Sequence, residues 1–381
     1  MDISKLELGR LAQAKAAFTT RYVNFDAIAT LITGDIKPEC GDLVLVRVDE
    51  ISQHERIELT DGRKALLFAG DELVICYGNR YAPDQFEAEI PEDLSPCHLA
   101  AAGGIAAKVL SQHTKMKMPT AITPIGLLGD GQGKRINLAD WTLPSTSYIG
   151  QRPTTIAVVG TSMNSGKTTT AANLINGLVK SGIKVGAAKI TGTGAGGDLW
   201  LMSDAGASSV IDFTSAGFPS TYRATPKQIQ EIFTTLTSYL ATEGVDAIVL
   251  EIADGLYQDE TSAVVSSPNF RETVDGVVFA TGNALGAAAG VEWLRRYQLP
   301  VLAVSGLVTA SPLAAREAAK ATGLPVYDLE MLRQEAANLL LSAKAVVTLS
   351  SPRPLSSAIA TQQSALTSKD WNLDIQNILV N

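Results

Sequence analysis

The stretch TIAVVGTSMNSGKTTTA, residues 155–171, decides the fold. An apolar run ends at Gly160, and Gly166-Lys167-Thr168 opens a helix-compatible segment six residues later. Strand, glycine-bearing turn and helix in that order form a phosphate-binding loop. Backbone N–H groups at a helix N-terminus are unsatisfied and carry partial positive charge, so they cradle phosphate oxygens. Gly166 lets the backbone come close, Lys167 is placed to reach the β- and γ-phosphates, and the Thr168 hydroxyl is placed to ligate Mg²⁺. Thr169 is placed for the α-phosphate. The spacing is unusual. The common pattern has four residues between its glycines. Here five, Thr161, Ser162, Met163, Asn164 and Ser165, separate Gly160 from Gly166.

Around this loop the rhythm from Pro153 onward is strand, helix, strand, helix. The apolar runs predict strands at 155–159, 184–190, 209–213, 247–252, 276–280, 301–305 and 325–328, and helices at 167–181, 226–242, 287–297, 312–322 and 331–342. Continuous Val/Ile/Ala strands between helices read as a parallel sheet covered on both faces. Ligands of such sheets lie outside the carboxyl ends of the strands. Residues 1–150 have another texture. Short apolar runs at 42–51, 56–59, 64–68 and 72–77, punctuated by Asp61-Gly62 and Gly70-Asp71, predict a small antiparallel sheet or barrel. Segments 6–18 and 97–113 read as helical, and 119–144, with its GDGQGK, as irregular. The expected architecture is therefore α/β: a mainly parallel P-loop NTPase-like domain at 151–350, a smaller β-rich α+β domain at 1–150, and a polar tail at 351–381.

The 381 residues are 46% hydrophobic and 18% charged, enough to bury a substantial core. A net charge of −8 speaks against a nucleic-acid coat, which needs a basic field. Three scattered cysteines make no disulfide framework, and three histidines without paired spacing make no zinc site. The N-terminus lacks a secretory pattern, and no apolar run approaches the roughly 18 residues of a membrane helix. A cytoplasmic protein that makes homo-oligomers, with no nucleic-acid or membrane partner, is the expectation.

Three further segments carry candidate chemistry. AAKITGTGAGGD, 187–198, puts Lys189 at the end of the second strand, where its ammonium can stabilise charge on a transferring group. IVLEIADG, 248–255, carries Glu251 in an otherwise apolar strand. A carboxylate there is costly unless paired or bound to metal, which makes it the candidate second Mg²⁺ anchor with Asp254 as runner-up. YGNRYAPDQFE, 77–87, groups Arg80, Tyr81, Asp84 and Gln85 as candidate substrate contacts. Arg80 suits a carboxylate in a fork geometry. FATGNAL, 279–285, and VSGLVT, 304–309, are placed for base and ribose, and Asn283 is either such a contact or a helix cap. Neither holds the Asn-Lys-x-Asp sequence of guanine-specific proteins.

Gly160-Thr161, five intervening residues and Gly-Lys-Thr resemble the loop of dethiobiotin synthetase and its relatives over about residues 153–345. Those relatives include cobyrinic acid amide synthases and a molybdenum-cofactor accessory GTPase. GTSMNSGKTTTA with its later Gly-rich segment also resembles the family containing bacterial D-glutamate N-acetyltransferases. The first resemblance implies a lysine at position 189 facing substrate and γ-phosphate, and a glutamate at position 251 on the metal. It implies a Mg·ATP-dependent enzyme that phosphorylates a small metabolite, an amino acid or other carboxylate, for ligation or amide formation. The second implies an acetyl-CoA-dependent N-acyltransferase acting on an amino acid. A nucleotide-dependent accessory protein or chaperone is the third reading.

Overall fold

A computed structural model describes residues 1–7, 9–144, 148 and 150–349 of the chain. The polar tail expected at 351–381 lies outside the described residues. The protein is α/β, with a parallel P-loop NTPase-like sheet and an additional β-rich region.

The parallel sheet has six strands: β1 (Thr154–Gly160), β2 (Val185–Thr191), β3 (Ser209–Asp212), β4 (Ala247–Ile252), β5 (Gly276–Ala280) and β6 (Val301–Ser305). Their order is β3-β2-β4-β1-β5-β6. Every residue of β2, β4 and β5 is buried, which is why these strands read as unbroken apolar runs. On one face lie α1 (Lys167–Lys180), α2 (Gly197–Asp204) and the last helix. There Leu174, Ile175 and Leu178 join Ile156, Val158 and Val249. On the other face Ile229, Phe233 and Leu236 of α3 (Pro226–Thr242) join Ala188, Leu250 and Ile252. Helix α3 starts where the sequence says it should. Thr225 and Gln228 cap it reciprocally, with Pro226 in the first turn. Two short helices, α4 (Asp259–Val265) and α5 (Pro268–Thr273), escape the hydrophobic period; α6 (Ala284–Arg296), α7 (Pro312–Thr322) and α8 (Leu329–Leu349) complete the layers. The strand expected at 325–328 is reduced to a single bridge between Val304 and Val326.

The N-terminal region is built on a ten-stranded sheet. Five of its strands close a ring: Leu43–Glu50, Glu72–Tyr77, Ile105–Gln112, Cys97–Ala101 and Thr120–Gly129, which returns to Leu43–Glu50. The segment 97–113 is thus two strands and not the expected helix. Its alanines are buried on both faces of the two strands, and Gly104, at φ 101°, makes the turn between them. A Cβ there would sit 2.1 Å from Ala17 Cβ, so tertiary packing overrides the helical preference of alanine. The stretch expected to be irregular contains Thr120–Gly129, which pairs on both sides. Pro124 is accommodated there by a register shift between Pro124 and Gly126. Within 6–18 only Arg10–Gln13 is helical, because Lys15–Ala16 instead adds beside Glu72–Tyr77.

The two regions share a packed seam. Gly103 faces the Gly194 carbonyl so closely that a Cβ would lie 1.9 Å from it. Arg21 pairs with the buried Asp212 at 2.9 Å. Glu58, 3% exposed, accepts from the Gly196 N–H at 2.9 Å and from the Trp200 indole N–H at 3.0 Å. Among the described residues no helix is long and apolar enough to cross a membrane.

Removing the Glu58 carboxylate strands both of those donors. Glu58→Ala is expected to lower stability by about 1–3 kcal/mol. The measure is the urea midpoint followed by tryptophan fluorescence. An unchanged midpoint would show that this contact does not hold the seam.

Candidate functional site

The register of the parallel sheet sets the site. Val158 of β1 lies beside Glu251 of β4, and Glu251 lies beside Lys189 of β2. Adjacent strands therefore deliver an acid and a base to the same carboxyl edge, where the glycine loop of β1 ends. The loop is braced from its flanks. The Thr161 N–H donates to the Ala280 carbonyl at 3.0 Å, and the Leu307 N–H to the Ser165 carbonyl at 3.1 Å. Gly166 caps α1 at φ 96°, a left-handed conformation that favours glycine. The first-turn N–H groups of α1 have no intrahelical partner.

The Lys167 ammonium donates to the Ser162 carbonyl at 2.7 Å, folded onto its own loop, and burial pushes its pKa down. The Thr168 hydroxyl donates to Glu251 Oε1 at 2.8 Å. Glu251 Oε2 is buried and has no partner. Burial and the charge of Asp198 push the Glu251 carboxyl up to about 7, with Lys189, Lys167 and Thr168 opposing. Lys189 pairs directly with Asp198. Against burial, Asp198 and Glu251 hold the Lys189 ammonium above its ordinary value. Asp198 is likewise held below the usual carboxylate range, burial opposing, by Lys189 and the Thr168 hydroxyl. Asp254 is buried, its carboxyl raised by desolvation, and its N–H donates to the Thr261 hydroxyl at 3.0 Å.

These groups open into a cavity of about 680 Å³ lined from both regions. One wall is the loop and strand edge: Met163, Asn164, Gly166, Lys167, Thr168, Thr169, Lys189, Asp198, Glu251 and Asp254. The other wall is N-terminal and includes Gln53, His54, Arg80, Tyr81 and Gln85. Gly160, Thr161, Ser162 and Ser165 frame the loop rather than line the cavity. Asp84 reaches the loop from the opposite side, accepting from Asn164 Nδ2 at 2.8 Å. Asn164 itself sits at φ 61°, a left-handed position that asparagine tolerates. Asn283 lies outside the cavity wall, and its side-chain oxygen caps α6 by accepting from the Gly286 N–H at 2.8 Å. Asp198 and His54 were not singled out in the sequence as site residues. Asp198 carried a faint signal, an acid closing a glycine-rich run; His54 carried none. Among the described residues no group of three or more His, Cys, Asp or Glu is arranged to hold a metal by itself.

No family model and no curated protein matches the sequence. Among solved structures, the chain is similar to the signal recognition particle 54 kDa protein of Aeropyrum pernix K1 in complex with GDP. That match has 22% identity and a TM-score of 0.36, and covers 53% of this chain and 50% of the other. The signal recognition particle receptor FtsY of Elizabethkingia anophelis in complex with GDP gives 15% identity and a TM-score of 0.35, over 52% and 66%. Chloroplast FtsY of Physcomitrella patens gives 16% identity and a TM-score of 0.33, over 54% and 70%. The chain thus spans half of the first neighbour and 66% of the second.

His54 gives a pH test of this wall. Burial, then the charge of Arg80, lowers its pKa to about 4. Below about pH 6.5 the unfolded chain takes a proton that the folded chain refuses, so stability falls as pH drops toward 4. At about pH 5 this amounts to about 2 kcal/mol. The expectation is that urea unfolding at about pH 7.5 and about pH 5 shows a smaller acid loss in His54→Gln than in wild type. Equal losses would place the ring in water.

Proposed function

We propose that the chain is a P-loop enzyme that binds a magnesium nucleoside triphosphate and phosphorylates a small substrate in the shared cavity. The proposed outcome is activation of a substrate carboxylate for ligation or amide formation. The observation that carries this reading is the Thr168–Glu251 hydrogen bond at 2.8 Å with Glu251 Oε2 left unpartnered, directly beside Lys167 and Lys189. A hydroxyl and an orphaned buried carboxylate oxygen are a donor set suited to Mg²⁺, which is held by one or two protein oxygens plus phosphates and water. The residues present therefore fit the ion: Thr168 and Glu251 would hold it. When bound, it supplies charge neutralisation across the β- and γ-phosphates.

The chain's own residues supply the rest. First-turn N–H groups of α1 receive the phosphates. Lys167 exchanges the Ser162 carbonyl for phosphate oxygens. Lys189, fixed by Asp198, presents its ammonium toward the transferring group and remains protonated. The acceptor oxygen forms a bond to the γ-phosphorus as the bond to the bridging oxygen breaks, giving an acyl phosphate and a nucleoside diphosphate. Such transfer depends mainly on positioning and charge stabilisation. ATP is the proposed nucleotide, since neither FATGNAL nor VSGLVT carries the Asn-Lys-x-Asp sequence. The dethiobiotin synthetase-like spacing of the loop supports the same class.

The acetyl-CoA reading is less well supported. Glu251, Asp198 and Asp254 surround the phosphate position, and without a metal they would repel the phosphates of coenzyme A. Isothermal titration tests the choice. Lys167→Ala is expected to weaken Mg·ATP binding roughly 10- to 100-fold, the loss of a charge-assisted contact. Glu251→Gln should reduce the gain in ATP affinity that magnesium gives. Acetyl-CoA binding that persists against excess Mg·ATP, or a Lys167→Ala variant with unchanged ATP affinity, would overturn the proposal.

A further inference from the structure

Arg80 lies on the wall of the cavity opposite the phosphate loop, on the short strand Arg80–Tyr81 that pairs with Phe86–Glu89. It is 6% exposed. Its guanidinium is held in place by neutral groups. One terminal nitrogen donates to the Ala100 carbonyl, the other to Gln85 Oε1 at 2.6 Å. The first also lies 3.5 Å from His54 Nε2. The Arg80 Nε–H is buried and has no partner. Among the described residues no carboxylate forms an ion pair within 4.0 Å of this guanidinium. The acid whose charge bears on it, Asp84, is farther away and has one oxygen committed to Asn164.

A buried cation without a counter-ion is expensive, and proteins retain one where a ligand completes it. The guanidinium is a planar fork with five donors, and the protein's hydrogen bonds leave the buried Nε–H unsatisfied. A planar carboxylate entering the cavity can accept from such a fork through its two oxygens. His54 is held neutral by burial and by Arg80, so it adds no second positive charge. We infer that Arg80, positioned by Gln85 and set beside His54, is the subsite that anchors a carboxylate of the substrate. The opposite end of the substrate then faces the phosphate loop. This deepens the reading of the cavity as a substrate chamber and rests on it; the substrate class becomes a small molecule with a carboxylate remote from the reacting group.

The test uses the full chain with succinate and glutarate as probes, and their uncharged diamides as controls, read by thermal shift and calorimetry. The dicarboxylates are expected to stabilise the wild-type protein and the diamides not. Arg80→Lys keeps the charge but loses the fork, and should weaken dicarboxylate binding at least tenfold while leaving Mg·ATP affinity unchanged. Gln85→Glu guards against a folding effect at Arg80. It places an internal carboxylate beside the guanidinium, and should raise Tm and remove the dicarboxylate response. Lys167→Ala separates the two readings: it should weaken nucleotide binding yet keep the dicarboxylate response. No response of wild type to either dicarboxylate, or equal binding by Arg80→Lys, would overturn the subsite whatever the nucleotide result.

Discussion

Everything at the carboxyl edge of the parallel sheet depends on two buried ionisable side chains that adjacent strands set side by side, each needing a partner from a neighbouring helix. Lys189 and Glu251 are neighbours by strand register, and each is nearly excluded from water. Neither is tolerable alone in an apolar sheet. Asp198 completes Lys189, and Thr168 completes one oxygen of Glu251. Two helix starts are thereby tied to two strand ends: α1 through Thr168 and α2 through Asp198. The glycine loop is braced between them, ahead of first-turn N–H groups of α1 that take no intrahelical bond.

Much of this was legible in the sequence because parallel strands buried on both faces write themselves as unbroken Val/Ile/Ala runs. Lys189 and Glu251 stood out as the charged exceptions in two such runs, and the register then set them side by side. Asp198 did not stand out, since an acid after glycines is ordinary turn chemistry until the strand beside it is known. The N-terminal region was harder to read. Ala100, Ala101, Ala106 and Ala107 carry a helical preference, yet they are buried strand residues, with Ala106 and Ala107 packing into different clusters on the two faces of the sheet. The stretch 119–144 read as irregular, yet Thr120–Gly129 is a strand in which a register shift accommodates Pro124. Non-local packing decided both cases, and a single sequence does not display it.

The ring of strands serves the cavity by carrying an appendage. Phe86–Glu89 and Arg80–Tyr81 extend from Ile105–Gln112 toward the phosphate loop; Arg80 lies on the second of these strands, and the turn they enclose bears Asp84 and Gln85. Gly103 and Glu58 fix the ring against the glycine-rich run after β2. The distance across the cavity is therefore set by packed backbone rather than by a linker.

The Asn164–Asp84 hydrogen bond gives that arrangement a thermodynamic consequence. It is a direct bond between the middle of the phosphate loop and the turn that follows Arg80–Tyr81. A ligand that shifts the Arg80–Gln85 turn alters the free energy of the loop's conformation. Linkage is reciprocal, so a phosphate-bearing ligand must alter the affinity of that turn by the same factor. The two walls of the cavity are tied by this direct side-chain bond as well as by the packed seam beneath them.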